Sequence, residues 1–187
     1  TMLPDNRGMS LLDVACGNGR VTRVLQDFAA VLETDLSPEA VRLTAEAGRD
    51  DPRRRALVMD AENLQLPDES FDVVTFIEGA EHVHDLAVAI REISRVLKPG
   101  GRLVMNSANT GSLHLRVLAG LGLPNLKTNY QHIREFNIKE IEVMLQDSGM
   151  VVEQSEGIFL FPYWGLPGVD QQVRHVVDTD PSVVEAL

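Results

Sequence analysis

The chain alternates short, almost wholly apolar runs with longer stretches whose apolar positions recur at helical spacing, and no internal repeat or low-complexity tract breaks that rhythm. The runs at 9–14, 29–33, 56–59, 71–77 and 102–106 have strand length, and most are continuous rather than alternating, as strands covered on both faces are. They predict a mainly parallel sheet. Between them, 19–28, 38–47 and 85–97 read as helices: Ser37 is placed to cap the second, with Pro38 at its first position, and Lys98-Pro99-Gly100-Gly101 ends the third. Strands joined this way need right-handed helical crossovers, which implies a doubly wound α/β fold.

Beyond Asn106 the pattern loosens. Glycines at 111, 120 and 122 and Pro124 predict a loop with an irregular helix around 113–119, so that 107–136 reads as an insert or lid on a single domain spanning 1–187. Helical period returns at 138–148, where Ile138, Ile141, Met144 and Leu145 share a face and Gly149 stops the helix; a strand at 150–156 follows. The tail supplies no clear final strand, and the first apolar run begins at Met9 with nothing ahead to cover it. A trimmed N-terminal cap and an absent last strand are therefore expected.

The charge is −11, from 17 Lys and Arg against 28 Asp and Glu, which disfavours nucleic acid bound through a broad basic surface. Arg53-Arg54-Arg55, the one compact basic run, reads as a solvated loop. No apolar stretch approaches the roughly 20 residues that span a bilayer, and the first ten residues lack the parts of a signal peptide. Cys16 is the sole cysteine, so no internal disulfide can form, and a cytoplasmic setting is the default expectation.

The chemistry concentrates after the first strand. In Leu11-Leu12-Asp13-Val14-Ala15-Cys16-Gly17-Asn18-Gly19-Arg20 a buried strand runs into a tight glycine turn that opens a helix, the ligand crevice of an open α/β sheet. A dinucleotide fingerprint needs a third glycine or alanine where Thr22 stands, and no Walker loop is present. Asp35 ends the second strand 18 residues after Gly17, near the spacing at which a carboxylate meets ribose hydroxyls, and Asp60 ends the third. Asp13, Asp35 and Asp60 at neighbouring strand tips repel pyrophosphate and favour a cation that carries an amino group and a ribose.

The ordered set Asp-Val-Ala-Cys-Gly-Asn-Gly (13–19), Asp-Leu-Ser-Pro (35–38), Asp-Ala (60–61), Ser-Phe-Asp-Val-Val (70–74) and Val-Leu-Lys-Pro-Gly-Gly (96–101) resembles the successive motifs of class I S-adenosylmethionine-dependent methyltransferases. The resemblance implies a Rossmann-like methyltransferase sheet. It also implies that the bend from Ala15 and Cys16 through Gly17 to Gly19 brings backbone to the methionyl and ribose parts of the cofactor, with Asp13 near the methionyl amino group, often through water. Asp35 would take the ribose hydroxyls, Asp60 and the Ala61 backbone the adenine edge, and Leu36 would pack on the ring, although ordinary core is an equal reading for Leu36. The Cys16 thiol is given no chemistry.

After the fourth strand comes Glu78-Gly79-Ala80-Glu81-His82-Val83-His84-Asp85. On a helical turn Glu78, Glu81 and His82 share one face and can ligate a divalent ion such as magnesium, manganese or zinc, with His132 as a fourth ligand. The run, with Ser107-Ala108-Asn109 and a later His-x-x-x-Phe, resembles the ubiquinone-biosynthetic O-methyltransferases, and also small-RNA 3′-end 2′-O-methyltransferases. That resemblance implies metal binding by Glu78, Glu81, His82 and His132. Without metal, Glu78 contacts cofactor or lid, Glu81 and His82 line the pocket, and His82, His84 or His132 serves as base; His82 and His132 are the catalytic candidates. His114 reads as surface or lid.

Phe159, Phe161, Tyr163 and Trp164 can wall a flat or apolar acceptor, pack on the core, or bury against a missing segment or a partner subunit; a homodimer is one expected assembly. The function expected is methyl transfer from S-adenosylmethionine to a hydroxyl, less readily nitrogen or carbon, of a small molecule. The alternatives are an RNA or protein methyltransferase of the same fold and a cofactor-binding regulatory protein without catalysis.

Overall fold

The computed structural model describes residues 6–25, 27–111, 115, 116, 120 and 131–157. The chain divides into two units, Thr1–Asn109 with Gln131–Glu153 and Thr110–Tyr130 with Gln154–Leu187. The expected insert is thus split: 107–109 and 131–136 stay with the first unit. His114 and the aromatic stretch 159–164 lie outside the described residues.

The first unit carries β1 (Ser10–Val14), α1 (Arg20–Val24), β2 (Ala30–Asp35), α2 (Pro38–Gly48), β3 (Arg54–Val58), β4 (Phe71–Phe76), a short 3₁₀ turn (Ala80–His82), α3 (Leu86–Val96), β5 (Leu97–Met105) and α4 (Ile138–Asp147). The strands form one parallel sheet in the order β3-β2-β1-β4-β5. The chain lays β2 and β3 on one side of β1 and then returns to lay β4 and β5 on the other. A crevice therefore opens beyond the carboxyl ends of β1 and β4, where the winding reverses.

Alternation along β1 sends Leu12 and Val14 to one face and Leu11 to the other. The first face is the larger core: Leu12, Val14, Val74 and Phe76 pack with Ala89, Ile90 and Ile93 of α3, and with Phe136 and Ile141, all nearly or wholly buried. Full burial of such side chains contributes about 1.5–3 kcal/mol each. The second face gathers Leu11, Phe28, Val31 and Val73.

Helix ends follow their sequence signals. Ser37 caps α2 by accepting the Ala40 N–H, Asp85 caps α3 by accepting the Val88 N–H, and Asn137 with Glu140 forms a capping box on α4. Gly149, at φ 81°, follows the end of α4.

Several expectations change. α1 has only five residues, because Leu25 is already extended. β3 is an edge strand that begins within the arginine run and leaves Leu57 and Val58 about half exposed, so it is not covered on both faces. Arg54 is correspondingly no solvated loop residue. Lys98-Pro99-Gly100-Gly101 ends α3 but lies inside β5: Phe71 pairs with Leu97 and Val73 with Arg102, so four residues bulge opposite one. Ile138 is 43% exposed, leaving Ile141, Met144 and Leu145 as the packed face of α4. Residues 150–157 form no strand; Val151 is 85% exposed. Among the described residues no helix is long and apolar enough to cross a membrane.

Candidate functional site

Past Val14 the backbone enters left-handed conformations at Ala15 (φ 55°), Gly17 (57°) and Gly19 (73°) before α1 begins. Ala15 holds this region with a Cβ attached, a local strain of the kind that gathers at binding sites. The bend is held from below: the Cys16 N–H donates to the Thr34 carbonyl (2.9 Å), the Gly17 N–H to Asp35 Oδ2 (2.8 Å), and the Thr44 hydroxyl to the Gly17 carbonyl (3.0 Å). The two glycines differ. A Cβ on Gly19 would come within 3.1 Å of Thr44 and 3.3 Å of Glu33, whereas a Cβ on Gly17 would meet nothing among the described residues within 4 Å. Gly17 faces open space, as backbone offered to a ligand must.

The strand-end carboxylates take different positions. Asp35 is half-buried, and its oxygens also accept the Ser37 N–H (2.9 Å). Asp60 is exposed and accepts the Glu62 N–H (2.9 Å), beside the buried Ala61. Leu36 is 68% exposed, which removes the core reading and leaves an apolar surface beside Asp35. Asp13 does not reach the rim expected of it: it is 1% exposed, and its carboxylate accepts the hydroxyls of Thr22 and Thr75. Thr75 is its register partner on β4, so the pleat sets them side by side on one face. Burial pushes the Asp13 carboxyl above its ordinary range, and the threonine hydroxyls oppose that rise. Burial, reinforced by Asp13 and Asp35, pushes the Cys16 thiol up to about 12, which makes it inert as a nucleophile.

The second constellation begins where β4 ends. Glu78, also left-handed (φ 52°), donates its N–H to Asn106 Oδ1 and accepts from Asn106 Nδ2, both at 2.7 Å. Partial burial and then the Glu81 charge hold its carboxyl above the usual range. The helical turn covers only Ala80–His82, so Glu78 does not join Glu81 and His82 on one helical face. Gly79 is required here, since a Cβ on it would strike the Phe76 ring at 2.3 Å and stand 3.0 Å from the Ala15 Cβ. That contact sets the turn directly against the glycine bend.

His132 comes 50 residues later to the same place. The Ile133 N–H (2.8 Å) and Arg134 N–H (3.4 Å) both donate to the Glu81 carbonyl, and Phe136, 3% exposed, anchors the segment in the core. Glu81 is wholly buried. Its Oε2 accepts a long hydrogen bond from the Ser107 hydroxyl (3.3 Å), while Oε1 has no hydrogen-bond partner among the described residues and lies 3.9 Å from His132 Nε2. His132 Nδ1 is 2.8 Å from Glu135 Oε1, and His82 Nδ1 is 3.3 Å from the Gln131 carbonyl. A carbonyl only accepts, so in this bond the His82 proton is on Nδ1. The two imidazoles meet edge to face at 5.2 Å. Glu81, His82 and His132 each offer one ligand atom within 4.8 Å of the others; Glu78 stands outside this set. His84 is exposed and enters no such cluster among the described residues; its N–H donates to Glu62 (2.7 Å), joining the loops after β3 and β4.

Residues 12–105 match the family model described as a methyltransferase domain. The chain belongs to the class I S-adenosylmethionine-dependent methyltransferases. S-Adenosylmethionine is the cofactor of this family. The methyltransferase chain is 31% identical over 165 residues to a ubiquinone biosynthesis O-methyltransferase of Xanthomonas axonopodis pv. citri, covering 83% of this chain and 68% of that protein. It is 28% identical over 171 residues to a ubiquinone/menaquinone biosynthesis C-methyltransferase of Salmonella arizonae, covering 76% and 66%. It spans a smaller share of other relatives, 33% and 62% in two cases. An S-adenosylmethionine-dependent methyltransferase structure from Mesorhizobium loti superposes with a TM-score of 0.69 at 21% identity, covering 99% of this chain and 88% of that one, which shows the fold.

Some residues that build this crevice leave no mark in linear spacing. Glu33, 1% exposed, pairs with Arg54 beneath Gly19; the β2–β3 register puts Arg54 two places before Glu33's partner Ala56, hence on the same face. Thr22, Thr44, Thr75 and Asn106 likewise act through tertiary neighbours. The one legible hint was Glu135 three residues after His132, a separation at which side chains meet on a turn.

Proposed function

We propose that this domain moves a methyl group from S-adenosylmethionine to a hydroxyl of a small molecule, with a divalent transition ion held by Glu81, His82 and His132 aiding loss of the acceptor's proton. The observation that carries the reading is the buried Glu81 Oε1, without a hydrogen-bond partner among the described residues and facing a ring nitrogen of His132, beside a glycine bend open to ligand. A buried carboxylate oxygen left unpaired costs several kcal/mol, and a cation bound there removes that cost, as would a proton shared with Glu78 or on His132.

The open face of Gly17, flanked by Ala15, Cys16 and Gly19, is the place for the methionyl and ribose parts, and Asp35 for the ribose hydroxyls. Asp60, Ala61 and the exposed Leu36 suit the adenine, while buried Asp13 acts from behind the bend rather than touching the cofactor. S-Adenosylmethionine, when bound, supplies a methyl group already activated by sulfonium, so alignment provides much of the acceleration. With Glu78 engaged by Asn106, the donor set is two imidazoles and one carboxylate. That favours zinc or manganese over magnesium, which prefers oxygen donors. Such an ion, when bound, lowers the pKa of a hydroxyl that ligates it.

Relatives named for both C- and O-methylation leave the accepting atom to this chain's own chemistry. A hydroxyl must lose its proton on attack, and the buried cluster supplies groups for that loss. The second reading has no ion: the exposed His82, with Nε2 free of its Nδ1 contact to Gln131, accepts the proton. The net charge of −11 weighs against an RNA acceptor.

The test is S-adenosylhomocysteine formation across a panel of phenols, alcohols, amines and carbon acids, before and after chelation. Turnover on hydroxyls, lost with chelator and restored by manganese or zinc, is expected. Turnover indifferent to chelation removes the ion and retains His82. Cofactor binding without turnover on any acceptor removes catalysis in favour of a regulatory role.

A further inference from the structure

We infer that Glu135 is the positioning residue of this cluster: it holds the His132 proton on Nδ1, so that Nε2 presents its lone pair to the ion site beside Glu81. This deepens the ion reading above and rests on it.

Four observations converge. His132 Nδ1 is 2.8 Å from Glu135 Oε1, and the two side chains are only 7% and 10% exposed, so water competes little for this bond. An ionised carboxylate only accepts, which places the shared proton on the ring nitrogen. On the ring's other side, His132 Nε2 and Glu81 Oε1 are 3.9 Å apart, too far for a hydrogen bond, so a proton on Nε2 would find no acceptor there. Finally, the segment is fixed at both ends of the cluster by its backbone bonds to the Glu81 carbonyl and by buried Phe136, which determines the direction the imidazole faces.

Carboxylate, imidazole and cation in line is the arrangement by which an outer carboxylate fixes a ligand's tautomer and raises its basicity. His82 repeats it with the Gln131 carbonyl as outer acceptor. In both histidines Nδ1 is taken by a protein acceptor, which leaves Nε2 as the ring nitrogen that could ligate an ion. Glu135 differs from Gln131 in bringing a negative charge, which strengthens binding of a positive ion.

Calorimetric titration of the whole chain with manganese chloride alone tests this, with cobalt absorption as a second readout. Wild type should bind one ion. Glu135→Ala should weaken binding by about 10–100-fold, the usual range for loss of an outer-sphere partner. Glu135→Gln, whose amide oxygen can still accept from Nδ1, should recover much of that loss, which a merely structural role would not predict. Ring ¹⁵N shifts of ion-free wild type need no variant and should show His132 protonated on Nδ1. Failure of wild type to bind manganese or cobalt overturns the ion reading. Wild-type binding with an undiminished, folded Glu135→Ala, or His132 protonated on Nε2, overturns the role of Glu135 alone.

Discussion

Replacing Asp35 by asparagine keeps the side chain's volume and removes its charge and one acceptor oxygen. In the structure one oxygen accepts the Gly17 N–H at 2.8 Å and the other the Ser37 N–H at 2.9 Å. An ionised carboxylate has about four lone-pair sites, so about two remain for ribose hydroxyls. The asparagine amide nitrogen must face one of the two N–H groups it replaces an acceptor for. Hydrogen bonds to a charged group are worth about 1.5–3 kcal/mol, so one lost amide bond should lower stability by about that amount in urea unfolding. Loss of the ribose contacts should weaken S-adenosylhomocysteine by a similar amount, roughly 10–150-fold by calorimetry. Bracing of the bend and direct contact are separated by a cycle using the 2′,3′-dideoxy analogue of the same ligand. Direct contact predicts a coupling above about 1 kcal/mol between Asp35→Asn and removal of the hydroxyls. Additive losses would refute the contact and leave Asp35 as a brace for Gly17 alone.

Two further outcomes concern the scaffold. Arg54→Met should cost about 3–5 kcal/mol in urea unfolding, because Glu33, 1% exposed, would keep its charge without a partner; adding Glu33→Leu should restore most of the loss, and a single variant as stable as wild type would contradict the buried pair. Lys98, with help from the Ser10 N–H, holds the Asp72 carboxyl down at about 2, below its ordinary 3.8. The folded value lies below the unfolded one, so this stabilisation is present above about pH 4 and disappears as pH falls towards about 2. A shift of this size is worth at most about 2.4 kcal/mol, and solvent screening of the half-exposed lysine reduces it to about 1 kcal/mol. Asp72→Asn should therefore be less stable than wild type at neutral pH and converge with it in acid; a constant difference across that range would count against the pair.

The crevice was legible in sequence to the extent that it rests on local chain geometry. Gly17 and Gly19 stand where the backbone is left-handed, Asp35 closes β2, Asp60 follows the end of β3 by two residues, and Ser37, Asp85 and Asn137 begin helices, all consequences of conformational preference within a few residues. Asp13 shows where that reasoning ends. Its place at the close of β1 suggested a rim, but the pleat turns it inward to Thr75, a neighbour 62 residues away. Glu78 shows the same limit: one residue in a left-handed conformation breaks the helical spacing that would have aligned it with Glu81 and His82.

The order of apolar runs, their length and the glycine and proline punctuation were enough to place the five strands of the parallel sheet and its doubly wound order, though not the extent of α1 or the absence of a strand at 150–157, because the former follow from backbone sterics and from the need to cover a parallel sheet. Which strand lies at an edge, that Arg54 rather than solvent answers Glu33, and that Glu81 is buried with one oxygen unpaired beside His132 were decided only by tertiary structure. Burial and charge pairing depend on neighbours distant along the chain, and the price of an unmet carboxylate exists only once folding has removed the water around it.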